Sequence, residues 1–591
     1  MKKIFLLLLV ISFPLISNAQ RMSEKTISVI ESAMKDELAR STSELKRTGL
    51  TTPFYIGYSV TDNFRADVTA AFGALTKSTT NRTRQLNLRL MVGDYQLNDE
   101  NFSDGGGGIF GGGGAPLDMN LSLDDDYDGI RRGFWLATDN LFKEANETFT
   151  KKKAALERKQ LSEEDKNLPD FAKAPAVTVV EAPIELQYDK AMVEDFVRTV
   201  SATFAKYPEI QNCQVSLTYN NNYQLFKSTE GTSFRKPSVS CDMNIQASAQ
   251  STDDGEPMGL SLSYSTQSPS QLPMVKILKE AEQLAKTLTE LIKAPKYNDK
   301  EYTGPVMFDD DAARDFINDQ VIAKFAAARE DVLGGNVVIS FGTKGGSFQK
   351  KLGTRVLPTS VTVRDNPLVK TRDNISLLGS YSIDDEGVKP FDMTLVENGI
   401  LKTMYMSRTP TKEVKESNGH ARSSGGSTAP APGIVEYIDK KAVPAINIRK
   451  DLAKRAKENG YNHAFIIRST KRATLLFADG MGNIDDLLSG EKAIIPSLIY
   501  KVDLKTGAEQ LMRGLEVTFP TSRDIRELIS SKETSITNMG LSGGGQGGFF
   551  SFGSKVPGTL IGPNTILVPE LEVRKKKTSA YPTKPVVERP S

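Results

Sequence analysis

Between Ser23 and Val92 the spacing of apolar residues changes once, and that change decides what the chain can build. Ile27, Ile30, Met34, Leu38 and Leu45 recur at three- and four-residue intervals or their sums, the period of one helix face. From Phe54 to Val60 the alternation is every second residue, the period of a half-buried strand, and strand-like sequence runs on to about Val92. The same two periods recur downstream. Helical spacing returns from Tyr127 into Lys151–Lys153, with Ile130, Phe134, Ala137, Leu141 and Ala145 on one side and Trp135 beside them. Asp124, Asp125 and Asp126 suit the positive end of that helix, and their spacing is wrong for an EF-hand. A helix is expected over Lys190–Phe204, strands near Gln214–Phe226 and Val239–Ala249, and a helix over Pro273–Ile292. Further helices are expected near Asp310–Glu330, Arg449–Asn459 and Arg523–Ser531. Antiparallel hairpins are more evident than regular βαβ units, so the fold class is α+β. A multi-layer N-terminal α/β region precedes a strand-rich C-terminal half.

Several segments stand outside those cores. Lys2 and Lys3, the apolar run Ile4–Ile16 and the small residues of Ser17-Asn18-Ala19 read as a signal peptide over residues 1–19. The run is shorter than the roughly 20 residues a membrane span needs. Cleavage after Ala19 leaves Gln20 as the mature N-terminus, and the expected location is the periplasm or the exterior. No other stretch is long and apolar enough to span. Two glycine tracts, Gly105–Gly108 with Gly111–Gly114 and Gly543–Gly548, read as mobile loops or linkers. Leu161–Pro175 reads as a surface connection and Ala294–Gly304 as a linker. The expected division is 20–300 for the N-terminal and middle α+β region and 301–591 for the C-terminal domain.

Composition mostly excludes. Lys plus Arg number 75 and Asp plus Glu 73, a net charge of +2, so nothing favours electrostatic capture of nucleic acid. The only cysteines are Cys213 and Cys241; in an oxidising compartment they either pair or remain two buried thiols. The only histidines, His420 and His463, lie 43 positions apart and cannot supply the two ligands that a zinc helix offers on one face. His463 leads into an apolar strand, where a structural role is expected. His420 lies in the polar loop Asn418-Gly419-His420-Ala421-Arg422 with no nucleophile or orienting acid beside it. Neither glycine tract has the Lys-Ser/Thr of a P-loop or the context of a dinucleotide site.

One region is informative in a different way. Gly379-Ser380-Tyr381 through Gly387 is followed by Thr394–Glu397, the turn Asn398-Gly399 and Ile400-Leu401-Lys402. Met406-Ser407-Arg408 comes next, then Asn418–Arg422. Upstream stands Gln349-Lys350-Lys351-Leu352-Gly353, with Val356 beyond it. The N-terminal half adds Arg131–Asp139 and Asn222-Tyr223 through Glu230-Gly231-Thr232. In order and spacing these blocks resemble the TldD/PmbA family, and the likeness covers most of the mature chain. Asn398-Gly399 is also a good two-residue hairpin turn on chemistry alone.

The resemblance implies a zinc peptidase carrying His-Glu-x-x-x-His on a helix after Gly304–Phe308, with a later Cys as a further ligand. This chain departs from that pattern. Asn318 and Ala323 fall at the two His positions and Asp319 at the Glu, and no Cys follows Cys241. An amide is a poor zinc ligand and a methyl group is none, so no metal, no cofactor and no catalytic residue are expected. The departure resembles PmbA/TldE-type members, which pair with a metal-bearing TldD-type subunit around an unfolded peptide. The first reading is therefore a non-catalytic subunit that holds an extended peptide and pairs with such a partner or with itself. Ser407, Arg408, Asn418, His420 and Arg422 are the candidate peptide or partner contacts, Arg408 or Arg422 pairing with a peptide carboxylate. The alternatives are an active peptidase with an atypical site around Asp319, and a cell-envelope binding or structural protein of the same fold.

Overall fold

A computed structural model describes residues 22–104, 119–159, 162–299, 301–334, 346–424, 427–470, 493–543 and 555–576. The expected signal peptide and the glycine tracts at 105–114 and 544–548 lie outside them.

The switch of period after Leu45 is a switch of structure. Helix α1 (Glu24–Glu44) starts at Ser23, whose hydroxyl accepts the Thr26 amide hydrogen at 3.0 Å. Ile27, Ile30, Met34 and Leu38 form its buried side. Strands β1 (Pro53–Ala71) and β2 (Ala74–Val92) are joined by a tight turn at Phe72 and Gly73. Helix α2 (Tyr127–Arg158) is capped by Asp126, whose carboxylate accepts the Gly129 amide hydrogen at 3.2 Å. The acidic triplet therefore serves a helix start. Helix α3 (Lys190–Ala202), strands β3 (Asn212–Ser228), β4 (Ser233–Gln250) and β5 (Pro257–Thr266), and helix α4 (Met274–Leu291) complete the N-terminal unit.

Its antiparallel sheet runs in the order β2-β1-β3-β4-β5. All four helices lie on one face, because residues alternate in orientation along each strand. Ile56, Tyr58 and Val60 meet α1 and α2, while Ala66, Val68 and Ala70, further along the same side, meet α3 and α4. The other face carries hydroxyls and amides, with Asn63 directly opposite Thr83 on one side and Asn222 on the other. Both cysteines are buried on the helix side. Cys213 faces Ala247 and Cys241 faces Tyr219, an offset of six residues, or about 20 Å along the strands. That is beyond disulfide reach, so the thiols are separate.

The C-terminal half contains β6 (Tyr302–Asp309), α5 (Asp311–Gln320), β7 (Val361–Asp365), β8 (Met393–Glu397), β9 (Ile434–Asp439), α6 (Ala445–Glu458), β10 (His463–Thr470), β11 (Pro496–Asp503), β12 (Thr534–Ser542), β13 (Lys555–Pro563) and β14 (Thr565–Lys575). One sheet centres on β6, flanked by β14 antiparallel and β10 parallel, with β11 beyond β10. The other runs β8-β7-β9-β13-β12. A shared core between them takes in Phe308, Phe316, Val363, Leu395, Tyr405, Phe465, Leu560 and Val568. The Asn398-Gly399 turn is as the sequence predicts: both residues have positive φ (47° and 79°), which glycine tolerates best, and Val396 pairs with Leu401 across it. The mixed α+β class with a strand-rich C-terminal half also stands.

Three expectations are corrected. The helix expected over Asp310–Glu330 ends at Gln320, followed by a single 3-10 turn, Ile322–Phe325. Beyond it the alanine-rich segment is extended, because Tyr405 donates its amide hydrogen to Phe325 and accepts that of Ala327 (2.9 and 3.0 Å). Tertiary pairing overrides helix propensity there. Only Ser522–Arg526 of the helix expected at Arg523–Ser531 forms; Ile529–Ser530 pairs with β14 instead. The connection at Leu161–Pro175 is partly sealed in, with Asp170 and Phe171 each 1% exposed.

Candidate functional site

Two places collect the residues that the sequence singles out, and they do different things. The first is the end of α5. Asn318 is wholly buried, and its Oδ1 accepts the Ser542 amide hydrogen at 2.9 Å. Its Nδ2 donates to the Gly540 carbonyl at 3.4 Å and the Ser542 hydroxyl at 3.3 Å. The carboxamide thus satisfies the outer edge of β12 as a peptide group of a neighbouring strand would. Asp319 accepts the Ser542 hydroxyl hydrogen at 3.0 Å and an Asn318 Nδ2 hydrogen at 3.0 Å, with Lys555 at 4.0 Å. Ala323 lies beyond the helix end, in the 3-10 turn. The three positions do not share one helix face.

The second place is the junction between the N-terminal sheet and the C-terminal half. The Ser407–Arg408 turn, a candidate peptide or partner contact, is buried within the chain: Ser407 is 6% and Arg408 2% exposed. The Arg408 guanidinium grips Glu230 with two bonds (2.6 and 2.7 Å) and donates twice more to the Ala172 carbonyl (2.9 and 2.7 Å). It lies 4.0 Å over the Phe171 ring, and its backbone amide donates to Glu386 at 2.5 Å. The other Glu386 oxygen pairs with Arg89 of β2. Beside it, Lys236 of β4 pairs with Asp385 at 2.6 Å. Asp385 and Glu386 therefore fasten the recognised C-terminal block to the N-terminal sheet.

The Asn418–Arg422 loop closes the same junction from behind. Asn418 is 7% exposed; its Nδ2 donates to the Met404 carbonyl at 2.6 Å, and its Oδ1 accepts the Met406 amide hydrogen at 3.0 Å. It thereby holds the extended segment leading into Ser407. Gly419 has φ 74°, and a Cβ there would stand 2.5 Å from the Pro390 nitrogen, so only glycine fits. His420, expected in a solvated loop, is fully buried. Its Nδ1 donates to the Asn418 carbonyl at 3.0 Å, and Nε2 stands 3.7 Å from Asp365. Asp365 also accepts from the Gly433 and Ile434 amides and the Tyr405 hydroxyl, each at 2.9 Å. Burial raises its carboxyl, but His420 and these donors outweigh that and hold it below the ordinary range. Asp384 accepts the Ala421, Glu386 and Val388 amide hydrogens (3.1, 3.0 and 2.8 Å); burial, with the charge of Glu386, pushes it up to about 7. Arg422 remains half-buried, 4.4 Å over the Tyr381 ring, with single bonds of 3.3 Å to the Pro432 and Pro557 carbonyls. His463 is structural as expected: it sits at the start of β10, hydrogen-bonded to Asn462 and Tyr297.

Sequence reasoning finds one side of this junction and misses the other. Arg89 and Lys236 lie on long antiparallel strands and Glu230 in the turn between two of them, and nothing marks them as partners of residues 149 to 297 positions away. Glu386 had a signal, since it ends an acidic triplet inside a recognised block.

Residues 300–450 match the PmbA/TldA metallopeptidase C-terminal domain. The likeness to the TldD/PmbA family thus lies in residues 300–450. Two relatives are metalloproteases, from Methanothermobacter thermautotrophicus (42% identical over 80 residues) and Methanocaldococcus jannaschii (40% over 79). Each match spans 13% of this chain and 16% of the relative. The fold is shared with a suggested modulator of a DNA gyrase from Thermotoga maritima (TM-score 0.55, 16% identity, 92% of this chain and 100% of that one). It is shared also with TldE from Thermococcus kodakarensis (0.53, 11%, 92% and 99%) and with a suggested gyrase modulator from Bacteroides thetaiotaomicron (0.52, 10%, 94% and 100%).

The zinc that the TldD/PmbA resemblance implies does not fit the donors present. Asn318 is committed to β12, Ala323 has no donor atom, and Asp319 is a single carboxylate already engaged by Ser542. Among the described residues, no three His, Cys, Asp or Glu side chains gather as a metal site.

Proposed function

We propose that this protein is a non-catalytic TldD/PmbA-family subunit that holds an extended peptide and works beside a zinc-bearing TldD-type subunit. The observation that supports this most is the use of Asn318. At a position where a peptidase of this kind needs an imidazole, the side chain is a fully buried strand-edge cap with both ends bonded. No hydrolytic step is derived from this chain. What its residues offer is shape: a strand, β12, whose outer edge is capped at Gly540–Ser542 by the Asn318 side chain, and a two-part frame locked by Arg408. An extended peptide adding to such an edge is held chiefly by main-chain hydrogen bonds, which suits an unfolded and variable substrate. Arg422, half-buried and weakly bonded, is the basic candidate for a peptide carboxylate; Arg408 is not, since Glu230 and Ala172 use its donors. Ser407, Asn418 and His420 position these groups from within. We further propose that residues 1–19 are removed on export and that the mature chain acts in the periplasm or outside the cell.

Co-expression with a zinc-bearing relative, purification through a tag on this chain and a peptide-cleavage assay test the proposal. Co-purification and cleavage that needs both chains support it. A stable homodimer that never captures such a partner contradicts the pairing. An intact mass beginning at Gln20 supports the export reading, and a mass retaining residues 1–19 contradicts it.

A further inference from the structure

Just past α5, two ammonium groups lie near one aromatic ring with no carboxylate paired to either among the described residues. Lys324, in the 3-10 turn, places Nζ 5.7 Å from the centroid of Phe348. Lys351 places its Nζ 5.3 Å from the same centroid and donates to the Ser522 hydroxyl at 2.6 Å. Phe348 is 1% exposed and packs against Phe325, so the ring is a fixed apolar floor. The backbone holds the arrangement closely: a Cβ at Gly346 would lie 2.2 Å from the Lys324 carbonyl oxygen.

Elsewhere in the fold the deeply placed cations are matched with carboxylates: Arg408 with Glu230, Lys152 with Asp170, Lys236 with Asp385, Arg513 with Asp254. Lys324 differs. Among the described residues the charge that bears on it is that of Lys351, and burial and this like charge together lower its ammonium to about 8. The local sequence from Val332 to Lys351 contains no Asp or Glu. The π face of Phe348 attracts both cations but neutralises neither. Like charges on a dry floor are unfavourable unless something negative joins them.

We propose that Lys324 and Lys351 form an oxyanion site, in which a carboxylate or phosphate group accepts hydrogen bonds from both ammoniums above Phe348. Ser522 steers Lys351 by accepting one of its hydrogens and leaves the remaining two for the ligand. The proposal does not depend on the reading of β12 as a peptide edge, nor on any metal at α5.

The test uses the full-length protein and two small probes, inorganic phosphate and acetate, at fixed ionic strength against chloride. Lysine acylation by a neutral succinimidyl ester at pH 8 is followed residue by residue with peptide mass spectrometry. An anion at ten times its Kd should slow acylation of Lys324 about tenfold, because only the unliganded fraction reacts. In Lys351→Met, whose changed side chain lies near the surface and does not threaten folding, Lys324 should still react but lose that protection. Protection by phosphate alone assigns a phosphate group, by acetate alone a carboxylate, and by both the shared oxyanion chemistry. Unchanged Lys324 acylation with either probe, or equal protection in Lys351→Met, overturns the proposal.

Discussion

Replacing Glu230 by Gln should loosen the grip between the two halves of the protein, and the structure sets the size of the effect. Arg408 is 2% exposed and Glu230 supplies both of its carboxylate bonds, at 2.6 and 2.7 Å. In Glu230→Gln the amide retains one acceptor, while the guanidinium stays buried without its countercharge. Removing one partner of a buried pair costs about 3–5 kcal/mol, most of it the penalty on the charge left behind. The retained acceptor and the two bonds to Ala172 place the expectation near the lower end, about 3 kcal/mol. Arg408→Met alone should cost a similar amount, since Glu230 then keeps only the Tyr95 hydroxyl, and the double variant Glu230→Leu/Arg408→Met should cost less than the sum. A chain of this size need not unfold in one step, so hydrogen exchange across 168–172, 228–232 and 404–410 is the better readout. The variants should raise exchange there while leaving α3 and α4 protected. If Glu230→Gln exchanges like the wild type at the junction, or if the two single effects simply add, Arg408 is not the lock described here.

Other expectations follow from the same contacts. Asn318→Leu strands the Ser542 amide and Gly540 carbonyl at the edge of β12 and should cost about 1–3 kcal/mol by urea unfolding; a neutral result would remove the strand-cap role. Restoring the family's residues with Asn318→His and Ala323→His should still bind no stoichiometric zinc by elemental analysis, because position 323 lies in a 3-10 turn beyond α5. Asp384 is raised from its ordinary value to about 7, so its stabilising contribution is complete below about pH 4 and is lost as the pH climbs through 7. Asp384→Asn should therefore flatten part of the decline in urea midpoint between pH 5 and 8, and an unchanged slope would refute that assignment.

Local chemistry was readable wherever one short segment decided the outcome. The triplet Asp124–Asp126 marks a helix start that forms, and Asn398-Gly399 marks a turn that forms, because helix starts and turns depend on a few adjacent residues. The run Ala326–Ala328 misleads for the opposite reason: its helix propensity is worth tenths of a kcal/mol per residue and yields to pairing with Tyr405. At Asn318 and Ala323 the sequence offers an amide and a methyl group where the resemblance implies imidazoles, but the use of Asn318 at β12 was hidden, since Ser542 stands 224 positions away. The charged partners of the recognised loops were hidden in the same manner. Arg408 reads as a peptide contact until the turn after β3 delivers Glu230 to it, and His420 reads as part of a polar loop until Asp365 and Tyr405 enclose it.

Elemental analysis of the purified chain, paired with a peptide-cleavage assay on the same sample, tests the central claim most directly. The account predicts no stoichiometric zinc and no cleavage by this chain alone, with chelator-sensitive cleavage appearing only when a zinc-bearing relative is added. One tightly held zinc per isolated chain, together with cleavage that a chelator abolishes, would contradict it.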